Sequence, residues 1–182
     1  MPKTIGLGKK GQFPNAFLDS YYSLLYLNIK YNSDKREKRN ITVYGSSAGG
    51  NLAVSVALKA RDKGLNCINL IIALYPMLDC TMNGKSIINN IDPVYNYKLN
   101  KLACKTYLTN STIPNKFASP SLENDFTDFP KTISVIRTLD PFFDETKLLV
   151  KKLKDSNVNV KFKTFSGAYH TFEIVHLKLK LA

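Results

Sequence analysis

The stretch Ile41-Thr42-Val43-Tyr44-Gly45-Ser46-Ser47-Ala48-Gly49-Gly50-Asn51-Leu52-Ala53 decides how the rest of the chain is read. A short β-branched run, Ile41–Tyr44, meets a glycine-flanked serine and gives way to an apolar helical pattern. That is the strand–turn–helix context of a G-x-S-x-G nucleophile elbow, with Ser47 at a sharp turn and its hydroxyl exposed. Gly45 and Gly49, on either side, are expected to relieve crowding there. The helix that follows is expected to aim its first N–H groups and its positive dipole end at the reacting centre.

Outward from the elbow, the pattern alternates. Ile41–Tyr44, Leu70–Tyr75, Thr132–Arg137 and Val158–Phe165 read as buried parallel strands, the last alternating Val158, Val160, Phe162 with polar residues. Asn15–Tyr31 carries Phe17, Tyr21, Leu24, Leu25 and Ile29 at helical spacing. Asn51–Lys63 does so with Leu52, Val56 and Ala60 and stops near Gly64; Asp144–Asp155 is a third helical pattern. Strands alternating with helices predict an α/β domain with a mostly parallel sheet flanked by helices. At 182 residues, 1–182 reads as a single domain large enough to bury a core. Residues 80–120 interrupt the rhythm: the segment is polar, is punctuated by Pro93, Pro114 and Pro120, and has one helical stretch near Val94–Leu108. It reads as a cap-like or lid-like insertion, with a plain surface excursion as the alternative.

A serine nucleophile needs a base and an acid that holds the base in one tautomer. The chain has two histidines. His170 lies in Ser166-Gly167-Ala168-Tyr169-His170-Thr171-Phe172, directly after the last strand, where functional loops gather. His176 falls in an amphipathic C-terminal helical pattern and reads as a surface residue. Asp140, just beyond Thr132–Arg137, is the acid candidate. Its rival Asp144 sits where a helix N-cap or first-turn acid is expected. Ser47, Asp140 and His170 thus each follow a different strand, in the order serine, aspartate, histidine.

The composition narrows the alternatives. Lys and Arg number 26 against 14 Asp and Glu, a formal charge of +12. The excess is scattered lysine, with local clusters at Lys35–Arg39 and Lys151–Lys154. The second fits the solvated face of a helix buried through Leu148, Leu149, Val150 and Leu153. No zinc-finger spacing, RNP-like strand or arginine-rich arm accompanies them, so nucleic acid is not an expected partner. Cys67, Cys80 and Cys104 lack metal-site or disulfide-framework spacing and read as buried thiols. The longest apolar run, Leu70–Leu78, is too short to span a bilayer, and no signal-peptide pattern is present; the expectation is a cytoplasmic protein.

With these residues in view, the chain resembles the hormone-sensitive-lipase-like branch of the α/β-hydrolases, the fold-3 esterases. Gly45–Ala53 is similar to that branch's GDSAGGNLA, with Ser46 in place of Asp. Asp140–Glu145 resembles its DPLxDE, and Gly167–Phe172 its G-x-x-H-G-F with Thr171 for glycine. Phe13–Tyr21 looks like its FPAALEDAY, Tyr75–Asp79 its YPVLD, and Ala118–Pro120 its ASP. The resemblance implies an α/β-hydrolase fold and hydrolysis of short- to medium-chain acyl esters. Ser47 would be the nucleophile, His170 the base, Asp140 its orienting acid and the Ala48 N–H an oxyanion donor. It implies a small-molecule ester substrate and neither a metal nor an organic cofactor.

One departure stands out. The branch's HGGG loop supplies the other oxyanion donors well ahead of the elbow; only 46 residues precede Ser47 here, and none contains it. Gly6, Gly8 and Gly11 are not assigned that role. The expectation is an N-terminally truncated form of the fold, with the first half of the sheet missing and an apolar edge that needs a cover. A homo-oligomer is one such cover. The alternative function is an inactive or non-catalytic homologue that binds a small ligand, or a gene fragment.

Overall fold

The computed structural model describes residues 8–32, 40–108 and 113–172. Its sheet has four strands, β1 (Ile41–Ser46), β2 (Ile68–Leu74), β3 (Lys131–Arg137) and β4 (Val160–Phe165). They lie side by side in chain order, every neighbouring pair parallel. Parallel neighbours need long crossovers. Helix α2 (Ala48–Asp62) joins β1 to β2, and α5 (Phe143–Asp155) joins β3 to β4. The longer β2–β3 excursion holds a single-turn α3 (Lys85–Ile88), which the sequence reading did not include, and α4 (Tyr97–Tyr107). Helix α4 starts three residues later than expected because Asn96 caps it, its side chain accepting from the Lys98 and Leu99 N–H groups. Helix α1 (Asn15–Asn32) precedes the sheet.

The core lies around α2, which packs on β1 and β2 and is covered by α1. Ala53, Val54, Val56, Ala57, Leu58 and Ala60 are all buried, so the helix is enclosed on more than the one face its sequence spacing marked. Its alanines allow that close approach at interior packing density. Phe17, Tyr21 and Leu24 of α1 and Leu149 and Leu153 of α5 complete the cluster.

Several burial expectations need correction. Among the described residues, only β2 and β3 have a strand on both sides. In this sheet β1 and β4 are edges, and both leave alternate side chains open, Tyr44 and Lys161 among them. Ile29, expected in the buried stripe of α1, is exposed, as is Leu148 of α5. Lys152 is not on a solvated face: its ammonium donates to the Ser121 and Glu123 carbonyls at 2.7 and 2.8 Å. Burial holds its pKa below the usual lysine value. Cys67 and Cys104 are buried, whereas Cys80 is only partly so. Among the described residues, no helix is long and apolar enough to cross a membrane. Lys35–Arg39, Gly6 and the helical pattern holding His176 lie outside the described residues.

Candidate active site

Strand β1 runs into α2 through Ser47, whose backbone is turned to φ 52°, ψ −121°, a conformation that L-residues other than glycine rarely adopt. Such strain persists only where the surroundings hold it. Two hydrogen bonds do so: the Ser47 N–H donates to the Leu74 carbonyl at 3.0 Å, and the Ser47 carbonyl accepts from Met77 N–H at 3.0 Å. Close packing allows nothing larger than glycine at two positions. A Cβ on Gly45 would overlap the Gly49 carbonyl, and one on Gly50 would stand 2.7 Å from the Pro76 Cβ. Gly49, expected to share the crowding, has open space where a Cβ would go; Gly50 is the second crowded position.

The Ser47 hydroxyl does not cap α2. Its Oγ lies 3.1 Å from His170 Nε2, and His170 Nδ1 lies 2.9 Å from Asp140 Oδ2. The structure therefore brings Ser47, His170 and Asp140 into one hydrogen-bonded line across three strand ends. Asp140 Oδ1 accepts from the Phe142 N–H at 2.9 Å, which fixes the other end of the carboxylate. Asp140 and His170 are almost fully buried, at 1% and 3% exposure, so water does not compete for their contact. Asp144 is elsewhere: its Oδ2 accepts from the Ser86 N–H at 2.9 Å. Ala48, the first residue of α2, has its N–H at the helix end, where no intrahelical acceptor exists.

Aromatic rings enclose the imidazole. Tyr75 and Phe142 meet it edge-on at 5.0 and 5.1 Å, and Tyr95 tilts over it at 5.4 Å. Tyr75 is in turn stacked by the Arg137 guanidinium, which lies between the Tyr75 and Phe172 rings. Beside the elbow opens a cavity of about 450 Å³, lined mainly by apolar groups of Ala48, Leu52, Met77, Tyr95, Leu99 and Tyr107. Gly11 borders it as well. Asn51, one turn into α2, ties the surrounding loops together. Its amide donates to the Met77 and Ala118 carbonyls at 2.9 and 3.0 Å, and its oxygen accepts from Ser55.

Two residues near the site carry predictions of their own. Thr171, where the resemblance has glycine, sits at φ 53°. A left-handed conformation costs an L-residue about 1–2 kcal/mol. The extra unfolded-state entropy of glycine returns about 0.5–1 kcal/mol of that. Thr171→Gly is expected to stabilise the fold by a margin of that order and raise Tm by about 2 °C, read by calorimetry. Glu145 is buried, its Oε1 accepting from the Leu78 N–H at 2.6 Å. Burial first, with the nearby Asp79 and Asp140 carboxylates adding to it, holds its carboxyl well above the usual glutamate pKa, against the lowering effect of the Leu78 bond. The folded state thus keeps a proton that the unfolded state releases, so this stabilisation is complete below the ordinary carboxylate range and is lost as pH rises towards the raised value. Glu145→Gln keeps the acceptor and removes the titration. Its stability relative to the parent is expected to rise with pH in urea melts, and parallel pH profiles would refute the assignment.

Sequence reasoning missed Tyr75, Tyr95, Asp92 and Asn51 as site residues. Asn51 and Tyr75 fall within quoted motifs, but their partners are remote in sequence. Asp92 stands before a proline in an irregular segment that gives no periodic signal.

A parallel sheet with a strained serine elbow, and a histidine and carboxylate meeting it from two other strand ends, is the architecture of an α/β-hydrolase. The chain belongs to the Abhydrolase_3 family, the alpha/beta hydrolase fold, whose model matches residues 8–174. It is 25% identical over 162 residues to an esterase of Acinetobacter venetianus, covering 88% of this chain and 51% of that protein. An arylesterase of Saccharolobus solfataricus matches at 25% over 170 residues, covering 91% and 55%. The solved structure of a bacterial heroin esterase superposes with a TM-score of 0.88 at 30% identity, over 94% of this chain and 56% of that one. The chain thus spans about half the length of the curated relatives it matches, and it is homologous to esterases.

Proposed function

We propose that this chain carries the catalytic triad of a serine carboxylesterase acting on small acyl esters with short to medium acyl chains. The observation that carries the reading is the unbroken line from Ser47 Oγ to His170 to Asp140, at 3.1 and 2.9 Å, beside an apolar cavity. An ionised Asp140 accepts, so the imidazole proton belongs on Nδ1 and the Nε2 lone pair is left to take the Ser47 proton. Ser47 Oγ then attacks the ester carbonyl, and the oxyanion that forms accepts from the Ala48 N–H at the positive end of α2. Collapse expels the alcohol, protonated by His170. Water enters by the same route in reverse and releases the acid. These steps use protein groups and water. Residues 80–120 act as a cap: α4 supplies Leu99 and Tyr107 to the cavity that receives the apolar part of the ester.

The test is direct. Purified folded protein is expected to hydrolyse p-nitrophenyl acetate and butyrate and to be labelled by a fluorophosphonate at Ser47, located by peptide mass spectrometry. A folded sample that does neither, yet binds an apolar ester, would leave the ligand-binding alternative in place. Each oxyanion donor is worth about 10²–10³ in turnover, so the rate also reports whether Ala48 works alone.

A further inference from the structure

The segment that walls the cavity also grips the loops bearing the acid and the base. Building on the triad reading above, we infer that Asp92 is a positioning residue. Its carboxylate fixes the His170 main chain and Tyr95 together, so that the cavity wall sets where the imidazole sits.

Asp92 is 5% exposed and lies outside any helix or strand. Its Oδ2 accepts from the His170 N–H at 2.6 Å, across 78 residues of chain. Its Oδ1 accepts from the Val94 and Tyr95 N–H groups at 2.8 and 3.0 Å. A buried carboxylate is costly unless its oxygens are used, and here both are. Tyr95, held by the second oxygen, packs its ring 5.4 Å from both His170 and Phe142, and its hydroxyl donates to Asn100 at 3.2 Å. The same segment reaches the acid. The Asn90 oxygen accepts from the Asp92 N–H at 2.6 Å, while its amide donates to the carbonyl of Leu139, the residue before Asp140. Ser86 Oγ donates to the Pro141 carbonyl at 2.8 Å and accepts from the Asp144 N–H at 3.0 Å. Residues 86–95 therefore hold both sides of Asp140 and the main chain of His170.

An amide cannot replace this carboxylate. It offers one acceptor oxygen, so either the His170 N–H or the Val94–Tyr95 pair must face an NH₂ group. The side chain keeps its size while one half of the brace becomes repulsive. Misplacement by about 1 Å can cost on the order of 10²-fold in rate.

Asp92→Asn is expected to lower kcat about 10- to 10²-fold, measured well below its Tm, with a smaller change in KM. It is also expected to shift or broaden the far-downfield proton resonance of the His170–Asp140 hydrogen bond. Asn90→Ala, at a half-buried site, is expected to move both readouts in the same direction by less, and it decides the matter if Asp92→Asn does not fold. Parent-like kcat and an unmoved resonance, with only Tm reduced, would overturn the inference. Should the parent protein show no turnover, the esterase reading fails separately. A resonance displaced by Asp92→Asn would still support the positioning role, and an unmoved one would sink it.

Discussion

Ser47→Ala is expected to reduce kcat on a short p-nitrophenyl ester about 10⁶-fold and to abolish fluorophosphonate labelling. The size follows from what the hydroxyl does. Its Oγ makes no helix cap and is aimed at His170 Nε2, so under the proposed mechanism its removal deletes the group that forms the acyl bond. Stability should change little. The lost hydrogen bond is worth about 1 kcal/mol, which is about 2–4 °C in Tm for a chain of this size. The same argument predicts non-additivity. His170→Ala added to Ser47→Ala should cost almost nothing further, because the imidazole has no hydroxyl left to deprotonate. A Ser47→Ala variant within about tenfold of the parent rate would place the nucleophile elsewhere.

Asp140→Asn is the second large effect, about 10⁴-fold in kcat. Asparagine fills the same volume, and its oxygen can still meet the Phe142 N–H that Asp140 Oδ1 now accepts from. Its NH₂ group then faces His170 Nδ1, which must turn from donor to acceptor. The ring proton moves to Nε2, and the base presents an N–H to Ser47 Oγ where a lone pair is needed. The fold is retained while the chemistry is disabled. The check is kcat together with near-UV dichroism. A modest loss in kcat would mean that the carboxylate serves only to fill space, and Asp144→Asn serves as the control that should leave kcat largely intact.

Much of this molecule was legible in its sequence because the signals are local. The β-branched run before Gly45 and the alanine-rich pattern after it define strand, turn and helix within thirteen residues. The convergence of His170 and Asp140 on Ser47 was legible for a related reason: in a parallel sheet, residues just past strand ends come together. Burial was less legible where it depends on neighbours in space. Val158–Phe165 alternates as a strand should, yet nothing in it says that β4 lies at an edge of the sheet. Ile29 and Leu148 fit helical stripes yet stand exposed, with no described element packed over them. The glycine assignment held at Gly45 and failed at Gly49. The motif marks Gly49, but the obstacle is Pro76, twenty-six residues beyond Gly50, and only the register of β1 on β2 brings them together. Asp92 was illegible because all of its meaning lies in a contact with a loop 78 residues away.

That register works as a ruler. Ser46 pairs with Leu74, and Ser47 is the next mark along. A slip of β1 by one residue would turn every side chain of the strand to the opposite face. A slip by two would restore the faces but carry the serine about 6.6 Å along the strand, more than twice its distance from the imidazole. No intermediate setting exists. The close approach across that scale is Gly50 against Pro76, just past the end of β2, while Gly45 against the Gly49 carbonyl sets the turn itself. Placement of Ser47 along β2 is thereby digital rather than graded. A larger residue at Gly50 presses on Pro76 and so on that register, whereas one at Gly45 strains the turn that carries the hydroxyl.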